Sequence, residues 1–369
     1  MYLNSVKINR VRNLGIADLK LNPHINFIFG ENGSGKTSFL ESLSILSNGH
    51  SFRTRDIKKV IQYHADDLVI SGSVVHSSSD RVVPIGIQRS RTGATQISVD
   101  SQRENKLSVL SNSLPTLAVD ATSFEFIEGA PSNRRSVLDW GLFHVEHNYL
   151  GFMQAYRKAL LQKNTLLRTY SSKDKSSLNH WNKILADIGE TIHNHRVRYI
   201  SEIGPYLNGI IQNEFNLNEA VSLDYVPGWN VQKYTSLLDC LTNNSETEIF
   251  RKSAMAGPHR GDLSVRFEGV EAKDICSRGQ KKLVLYGVRL AQIEYMMSKT
   301  GRSPILLLDD LPSELDEKNQ KKILDFLVKF DCQVFLTAID SSEIESIQPN
   351  SHNDYAMFHV EHGTIKTLP

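Results

Sequence analysis

The segment Gly30-Glu31-Asn32-Gly33-Ser34-Gly35-Lys36-Thr37 decides how the rest of this chain is interpreted. It matches the pattern G-x-x-x-x-G-K-[ST] in full, which is typical of loops that bind phosphate groups. β-Forming residues precede it at Ile25–Phe29, and apolar residues recur at helical spacing after it, over Ser38–Leu46. This order of strand, loop and helix predicts an ATP-binding loop whose backbone N–H groups surround the phosphates. Lys36 would contact the β- and γ-phosphates, and Thr37 would bind Mg²⁺.

A second stretch with catalytic residue types lies near the other end of the chain. Ile305–Leu308 is an uninterrupted apolar run, as expected of a buried strand, and Asp309 and Asp310 follow it directly. The carboxyl end of such a strand is where ligands bind in α/β sheets. We therefore expect Asp309 to bind Mg²⁺ and Asp310 to orient or deprotonate an attacking water. The alternative is an acidic turn after a core strand, with no ligand.

The four residues Ser277-Arg278-Gly279-Gln280 stand directly before an apolar periodic segment, Lys281–Tyr295, which predicts a helix. Ser277 is a suitable N-cap, and Gly279 would leave backbone accessible at the positive end of the helix. S-x-G-Q is a weak motif by itself. Here it precedes the acidic strand, which is the order of the signature motif and the catalytic acids in ABC ATPases.

Three further features bear on the resemblance to ABC ATPases. Ser313-Glu314-Leu315-Asp316 resembles the D-loop, and its serine is placed to cap the helix that follows. The apolar strand Gln333–Thr337 ends where many ABC proteins carry a switch histidine, but Ala338 stands there. γ-Phosphate sensing therefore has no assigned residue. Gln62 and Gln88 are both candidates for the Q-loop glutamine, and the sequence does not choose between them.

Hydrophobic periodicity predicts α/β structure at both ends of the chain. Short runs rich in β-formers, separated by polar turns, fill the first third. The last third contains the acidic strand, an amphipathic helix over Asp316–Phe330 and a hairpin that turns at Gly363. The strands expected in the first third are Leu3–Ile8, Ala17–Leu21, Ile25–Phe29, Leu68–Val75, Val82–Gln88, Thr95–Val99 and Thr116–Val119.

The middle of the chain has helical spacing instead. One predicted helix covers Phe152–Tyr170, although Lys163 interrupts its apolar face, and another covers Trp181–Tyr199, after a polar loop at Ser171–Ser177. The fold expected from this order is α/β, an ABC-ATPase head with two lobes. A mixed-sheet lobe, residues 1–120 and 300–369, would carry the phosphate loop and the acids. A largely helical lobe, residues 121–299, would carry the signature motif.

Composition limits the compartment and the partners. Of the 369 residues, 40% are hydrophobic and 22% are charged, and the net charge of +1 does not by itself indicate a nucleic-acid partner. Cys240, Cys276 and Cys332 are too far apart to suggest a zinc site or a disulfide framework. No apolar run approaches the roughly 20 residues that span a bilayer. We expect a cytoplasmic protein with no membrane segment.

A DNA-binding surface would have to be local. We select Lys58, Lys59, Arg134 and Arg135 as candidate DNA contacts, although ordinary solvated charge would explain any single cluster. Nothing in these clusters indicates base reading, so we expect recognition of DNA structure rather than of sequence. The basic clusters are Arg53, Arg55, Lys58 and Lys59; Arg134 and Arg135; Arg196 and Arg198; and Lys281 and Lys282.

Taken together, the motifs resemble the RecF family of bacterial recombination and gap-repair ATPases. The matching strings occur in the same order and extend over nearly the whole chain. They are Lys7–Asn13, Ser51-Phe52-Arg53-Thr54, Gly257-Pro258-His259-Arg260, Ser277–Gln280 and Leu308-Asp309-Asp310-Leu311. The resemblance implies a head like that of chromosome-maintenance ATPases, without the long coiled coil.

The resemblance also implies activity and partners. It implies weak DNA-stimulated ATP hydrolysis and an ATP-driven homodimer on DNA, in which each signature motif faces the ATP of the other subunit. It implies cooperation with RecR and RecO at gaps and junctions, and links to replication and the SOS response. Two departures from the family pattern could alter the signature surface. Gly261 stands where an acid is expected, and Cys276 replaces an apolar residue before Ser277.

Two other functions share part of this pattern. An ABC transporter ATPase would carry the same ATP-binding motifs, but would normally keep the switch histidine and would not need the long helical middle. A structural clamp would bind ATP without turnover. Steady-state ATP hydrolysis, measured with and without DNA, would separate the clamp from the enzyme.

Overall fold

The structure is a computed structural model that describes residues 1–76, 80–345, 347 and 355–368. Its strands are β1 (Tyr2–Val11), β2 (Leu14–Lys20), β3 (Ile25–Phe29), β4 (Asp67–His76), β5 (Arg81–Ser90), β6 (Thr95–Val99), β7 (Gln102–Glu104), β8 (Thr116–Val119), β9 (Val221–Val226), β10 (Asp262–Phe267), β11 (Val270–Glu271), β12 (Ile305–Leu308), β13 (Val334–Ala338), β14 (Tyr355–Glu361) and β15 (Thr364–Thr367).

The α-helices follow the same chain order. They are α1 (Lys36–Asn48), α2 (Ser108–Ser113), α3 (Glu125–Glu128), α4 (Pro131–Val145), α5 (Tyr149–Arg168), α6 (Lys175–Gly209), α7 (Leu237–Asn243), α8 (Ser245–Arg251), α9 (Ala272–Ile275), α10 (Arg278–Thr300), α11 (Leu311–Glu314), α12 (Glu317–Lys329) and α13 (Ser342–Glu345). Short 3₁₀ turns occur at Ile57–Lys59, Ala121–Phe124, Ser172–Asp174 and Pro258–Arg260, and a π-helical turn at Ile210–Glu214.

The chain divides into two compact units. The first unit comprises Met1–Phe124 and Thr300–Pro369, and the second comprises Glu125–Lys299. The sequence led us to expect the breaks after residues 120 and 299. The mixed α/β fold class expected from the sequence is confirmed.

The first unit contains two six-stranded sheets. One is antiparallel, in the order β2-β1-β4-β5-β6-β7, and the other has the order β15-β14-β3-β13-β12-β8. In the second sheet all neighbours are parallel except β14 and β15. Every residue of β12 and β13 is buried, which explains the uninterrupted apolar sequence of β12 and the mainly apolar sequence of β13, in which Thr337 is the one polar residue.

Helix α1 is buried almost all round and packs against strands of both sheets. Two of its serines are accommodated because they bond back to the helix itself. Ser42 Oγ donates to the carbonyl of Ser38 at 2.8 Å, and Ser47 Oγ to that of Ser44 at 2.9 Å. The helix therefore fixes the loop before it between the two sheets.

Parallel pairing brings several loops to one edge of the second sheet. The segments that follow β3, β8, β12 and β13 all leave from the carboxyl ends of neighbouring strands. This edge is where ligands bind in α/β sheets. The phosphate loop and the two adjacent acids are thereby placed together.

The second unit is mainly helical, with a small sheet in the order β11-β10-β9. Its longest helices, α5 and α6, pack against each other. The polar loop expected at Ser171–Ser177 is shorter than predicted, because α6 begins at Lys175. Ser171 and Asp174 form a reciprocal capping box there, which starts a helix in a sequence rich in serine and lysine. Strands β9 and β10 were not predicted.

Lys163, which interrupts the apolar face of α5, has a buried partner. Its Nζ lies 2.6 Å from Glu248 Oε2 of α8, and both side chains are 0% exposed. Glu248 Oε1 also accepts the N–H of Met255 at 2.8 Å. Burial lowers the pKa of Lys163, and the charge of Glu248 opposes that shift. The charged residue fits on this face because a carboxylate is buried with it.

Removing one member of this pair should destabilise the second unit. We expect Glu248→Ala to cost about 3–5 kcal/mol in the free energy of unfolding, since it leaves a buried ammonium unpaired. Denaturant unfolding followed by tryptophan fluorescence would measure it, because all three tryptophans, Trp140, Trp181 and Trp229, lie in this unit.

Asp224→Ala is the matched control, because it removes an exposed ion pair with Arg266 in the same unit. It should cost no more than about 1 kcal/mol. The double variant Lys163→Leu with Glu248→Leu should recover much of the loss. Equal costs for Glu248→Ala and Asp224→Ala would contradict a role for the buried pair in stability.

Candidate nucleotide-binding site

A cavity of about 700 Å³ opens at the carboxyl edge of the parallel strands of the first unit. Its size suits a nucleotide. The lining side chains are Arg12, Asn13, Asn32, Gly33, Gly35, Lys36, Thr37, Ser38, Arg53, Ala121, Asp309, Asp310, Glu314 and Thr337. The structure thus brings the predicted phosphate loop and the predicted acids to one site. Gly30, Glu31 and Ser34 complete the same loop between β3 and α1.

The loop takes a backbone path that requires glycine. Gly30 has φ +149° and Gly35 has φ +126°, in the region that disfavours other residues. A Cβ on Gly30 would lie 2.2 Å from the carbonyl oxygen of Val360, and one on Gly35 would lie 2.9 Å from Leu14 Cδ2. Both glycines are therefore required by the backbone conformation and by close neighbours.

Asn13 holds the loop from outside, a contact that sequence reasoning missed. Its Nδ2 donates to the carbonyls of Gly33 and Ser34, each at 3.0 Å, and its Oδ1 accepts from Ser38 Oγ at 2.9 Å. The N–H of Gly363 adds a bond of 2.9 Å to the Ser34 carbonyl. The only sequence signal was the position of Asn13 at the end of the Lys7–Asn13 string.

Lys36 lies over the loop. Its Nζ donates to the carbonyls of Gly30 at 2.5 Å and Glu31 at 3.2 Å, which leaves one of three donors for a ligand. Burial lowers the pKa of Lys36, and the negative charges of Asp310, Asp309 and Glu343 oppose the shift. The ammonium is thus held at the loop by two backbone carbonyls.

Thr337 links the two adjacent acids. Its Oγ1 donates to Asp309 Oδ1 at 2.8 Å and accepts the N–H of Asp310 at 2.7 Å. Asp310 has φ +61°, an uncommon conformation for a residue with a side chain, and Ser313 Oγ donates to its Oδ2 at 2.6 Å. These bonds fix the direction in which each carboxylate leaves the strand.

The oxygens of Thr37 and Asp309 fit a magnesium ion. Thr37 Oγ1 donates to Asp309 Oδ1 at 3.1 Å. Adjacent ligands of an octahedral Mg²⁺ with bonds of about 2.1 Å lie about 3.0 Å apart. Burial raises the pKa of Asp309, the hydroxyls of Thr337 and Thr37 oppose this, and the charges of Asp120 and Asp310 add to it. A bound cation would relieve that accumulation of negative charge.

Asp120 is a second residue that the sequence did not reveal. It follows β8, the neighbour of β12, and the N–H of Asp309 donates to the carbonyl of Val119 at 3.0 Å. Asp120 Oδ1 accepts from the N–H and the hydroxyl of Ser123, which starts the next turn. Its proximity to Asp309 depends on strand order, which no local motif encodes.

Neither Q-loop candidate lines the cavity. Gln88 Nε2 donates to Asp67, and Gln62 lines a separate cavity. Ala338 stands at the position of the switch histidine, and the residue after it, Ile339, is 41% exposed. Its N–H donates to Glu343 Oε2 at 2.9 Å.

Ser313, the D-loop serine, was wrongly predicted to cap the helix that follows it. Asp316 itself caps α12, because its Oδ1 accepts the N–H of Asn319 at 3.0 Å. Ser313 instead lies in α11 and bonds to Asp310. The sequence places two capping residue types three positions apart, and only the helix start shows which one is used. Ser313 therefore belongs with the two adjacent acids, Asp309 and Asp310, because it donates to Asp310.

The signature motif forms the start of α10 in the second unit. Ser277 Oγ accepts the N–H of Gln280 at 3.3 Å, and Gln280 Oε1 accepts the N–H of Ser277 at 2.9 Å, a reciprocal capping box. Ser277, Arg278 and Gly279 are exposed, whereas Cys276 is buried. The departure at Cys276 therefore affects packing behind the motif, not its exposed face.

The predicted DNA contacts differ in their surroundings. Lys58 and Lys59 are exposed on a 3₁₀ turn of the first unit. In the second unit, both Nε and Nη2 of Arg134 donate to Asp262 at 2.8 Å, and Arg135 Nη1 donates to the carbonyl of Gly261 at 2.7 Å. The family pattern led us to expect an acid at position 261. In this chain an acid, Asp262, stands one residue later and accepts the hydrogen bonds of Arg134.

Arg196, from another basic cluster, is buried. Its Nη2 donates to Asp139 Oδ1 and its Nη1 to the carbonyl of Pro258, each at 2.8 Å. Such guanidinium groups stabilise the second unit internally.

Within the described residues, no helix has the length and apolar character needed to cross a membrane.

A phosphate loop after one parallel strand, adjacent acids after another and S-x-G-Q at a helix start define a P-loop ATPase head of the ABC type. The family model described as RecF/RecN/SMC N terminal domain matches residues 2–366. The DNA replication and repair protein RecF of Coxiella burnetii (strain Dugway 5J108-111) is 35% identical over 369 residues, covering 100% of this chain and 99% of the relative. The chain belongs to the RecF family.

Other comparisons agree. The RecF of Azotobacter vinelandii is 36% identical over 367 residues, covering 99% of this chain and 98% of the relative. The solved structure of the recombination mediator protein RecF with ATP in the RecFOR pathway has a TM-score of 0.89 and 25% identity, covering 100% of this chain and 98% of that chain. The SMC head bound to the C-winged helix domain of ScpA, with a TM-score of 0.61 and 14% identity over 100% of this chain and 97% of that one, shares the fold.

Proposed function

We propose that this chain is an ATP-dependent DNA-binding protein of recombinational repair and replication-gap processing. ATP would drive its dimerisation on DNA, and slow, DNA-stimulated hydrolysis would control release. The observation that carries the proposal is the convergence of Lys36, Thr37, Asp309 and Asp310 on one cavity. The names of the RecF relatives and the ATP-bound RecF structure support it. RecR and RecO are the proposed protein partners, and the cytoplasm is the proposed compartment.

The site residues have distinct proposed roles. The loop from Gly30 to Thr37 would bind the phosphates through N–H groups and Lys36. Thr37 and Asp309 would hold Mg²⁺, which would neutralise charge on the β- and γ-phosphate oxygens. Asp310 would orient or deprotonate the attacking water.

The exposed signature motif has a proposed use between two copies of the chain. Ser277, Arg278 and Gly279 are exposed at a helix start, where N–H groups and the helix dipole favour an anion. In a two-fold dimer each motif would face the ATP bound to the partner, an isologous arrangement. The relatives favour this function over a transporter ATPase, since they match the chain from end to end.

The two acids should have separable effects. We expect Asp310→Asn to keep ATP affinity but to slow hydrolysis by about 10²–10⁴. Asp309→Asn should instead weaken Mg²⁺-ATP binding, because it removes a metal ligand. ATP titration and single-turnover hydrolysis would be measured on both variants. Equal losses of ATP affinity in the two variants, or brisk hydrolysis by Asp310→Asn, would show that the roles of Asp309 and Asp310 are wrongly assigned. If the wild-type protein hydrolyses no ATP, with or without DNA, it is a static clamp.

Ser277→Arg should block ATP-driven dimerisation. The larger cation would occupy the space in which the partner's ATP must approach, while the phosphate loop of the same chain is unchanged. Light scattering with ATP, beside ATP titration of the monomer, checks both effects. Ser277→Thr, which keeps the hydroxyl cap, is the control. A Ser277→Arg protein that still dimerises with ATP contradicts the arrangement between subunits.

Our proposal for DNA contact rests on Lys58 and Lys59, because Arg134 and Arg135 already donate to internal acceptors. The double variant Lys58→Glu with Lys59→Glu should weaken DNA binding. It should also lower the slope of log affinity against log salt by about one unit for each lost phosphate contact. Lys173→Glu with Lys175→Glu changes the net charge equally at exposed positions of the second unit. Equal effects of the two double variants would refute a specific contact at Lys58 and Lys59.

A further inference from the structure

An exposed aromatic side chain follows these lysines in the same loop. Tyr63 is 84% exposed, and its ring lies edge-on to that of His64, with centroids 4.5 Å apart. A single exposed apolar group on a protein surface is ordinary. What distinguishes Tyr63 is the rigidity of the segment that presents it, residues 57–65, which we call the tyrosine loop.

One guanidinium holds the tyrosine loop from inside. Arg91, which follows β5, donates to five loop carbonyls at distances between 2.6 and 3.2 Å, one from Nε, one from Nη1 and three that share the two hydrogens of Nη2. The carbonyls belong to Lys58, Ile61, Gln62, Tyr63 and Ala65. The loop backbone is therefore ordered before any ligand arrives, which lowers the entropic cost of binding.

Strand β1 holds the other side of the loop. The N–H of Arg12 donates to the carbonyl of Val60 at 2.7 Å, and the N–H of Gln62 donates to that of Arg10 at 3.0 Å. Arg12 Nη1 also donates to the carbonyl of Lys59 at 2.8 Å. The positions of the two lysine backbones and of Tyr63 are thus fixed relative to one another.

The charges around Tyr63 suit a phosphate backbone. Lys58 and Lys59 are exposed. Of the nearby acids, Asp56 caps the turn by accepting the N–H of Lys58 at 3.1 Å, and Asp67 is paired with Arg10 at 2.6 Å. Asp56 and Asp66 are exposed, whereas Asp67 is half-buried. Cations with a π-face beside them are the combination that binds single-stranded nucleic acid without reading sequence.

The surroundings of the ring disfavour a protein partner. Aromatic anchors of protein interfaces lie in apolar surroundings that exclude water. The cavity beside Tyr63 is lined mostly by polar and charged groups instead: Arg10, Gln62, His64, Asp66 and Asp67, with Ala65. A planar nucleobase needs only the π-face for stacking, and its polar edges can remain hydrated.

We propose that Tyr63 stacks on an unpaired nucleobase, while Lys58 and Lys59 bind the phosphates that flank it. The ligand class is a single-stranded stretch of DNA, as at a gap. The inference rests on the proposed DNA-binding function and deepens it, because bases of a closed duplex are stacked on each other and cannot use the ring. Tyr63 thereby gives affinity for unpaired DNA over duplex.

The test compares gapped with fully paired DNA in the presence of ATP and Mg²⁺. Tyr63→Ala should lower affinity for gapped DNA about 5- to 150-fold, the range of one base–aromatic stack, and leave duplex affinity and its salt slope unchanged. Tyr63→Trp should retain the preference. 2-Aminopurine at the unpaired position should be quenched by the wild type and not by Tyr63→Ala.

Phe250→Ala is the matched control, because Phe250 is an equally exposed aromatic, 86%, in the second unit. Gapped-DNA affinity of Tyr63→Ala equal to that of the wild type, with Lys58→Glu and Lys59→Glu still defective, would overturn the stacking site alone. A parallel loss on gapped and duplex DNA would overturn it as well. A wild-type protein that binds no DNA would overturn both this inference and the proposed function.

Discussion

A phosphate-binding loop can use few of its own N–H groups to hold its shape, because most of those donors must be available to the ligand. In this protein the N–H groups of Gly30 and Ser34 donate to the carbonyls of Ile339 and Glu31, and the other supports of the loop act through its carbonyls. Asn13 Nδ2 binds the carbonyls of Gly33 and Ser34, the N–H of Gly363 binds Ser34, and Lys36 Nζ binds Gly30. The supports come from the turn after β1 and from the turn between β14 and β15. Segments near both ends of the chain are therefore needed to shape a loop of eight residues.

The two adjacent acids also need neighbouring side chains to hold them in place. Asp309 is a half-buried carboxylate beside a second and a third acid, which is costly unless hydrogen bonds or a cation compensate. Thr337 and Thr37 supply hydroxyl donors at 2.8 and 3.1 Å. Asp310 has a left-handed backbone, which costs of the order of 1–3 kcal/mol, and Thr337 accepts its N–H. One threonine thus orients two carboxylates with different proposed tasks.

How far the sequence could predict this site depends on the distance along the chain between interacting residues. The phosphate loop, the strand before Asp309 and the N-cap at Ser277 are local patterns, and they were recognisable for that reason. Asn13 and Asp120 acquire their places through strand order, and Asp262 meets Arg134 across 128 positions. Lys163 looked like an interruption of a helix face because its partner, Glu248, lies in another helix. Pairings of this kind leave no local signal.

The roles of the basic residues also could not be predicted from local sequence, and the structure divides these residues into two groups. Arg91, Arg134 and Arg196 use the fork of the guanidinium on internal carbonyls and carboxylates, whereas Lys58 and Lys59 remain exposed as point charges. Arg12 joins the two groups: it donates to the carbonyl of Lys59 and, with Nε and Nη2 at 2.8 Å, to the buried carboxylate of Glu41 in α1. Helix α1 begins at Lys36 of the phosphate loop. Arg12 thus contacts both the backbone of the basic turn and a buried carboxylate of the helix that begins at the phosphate loop.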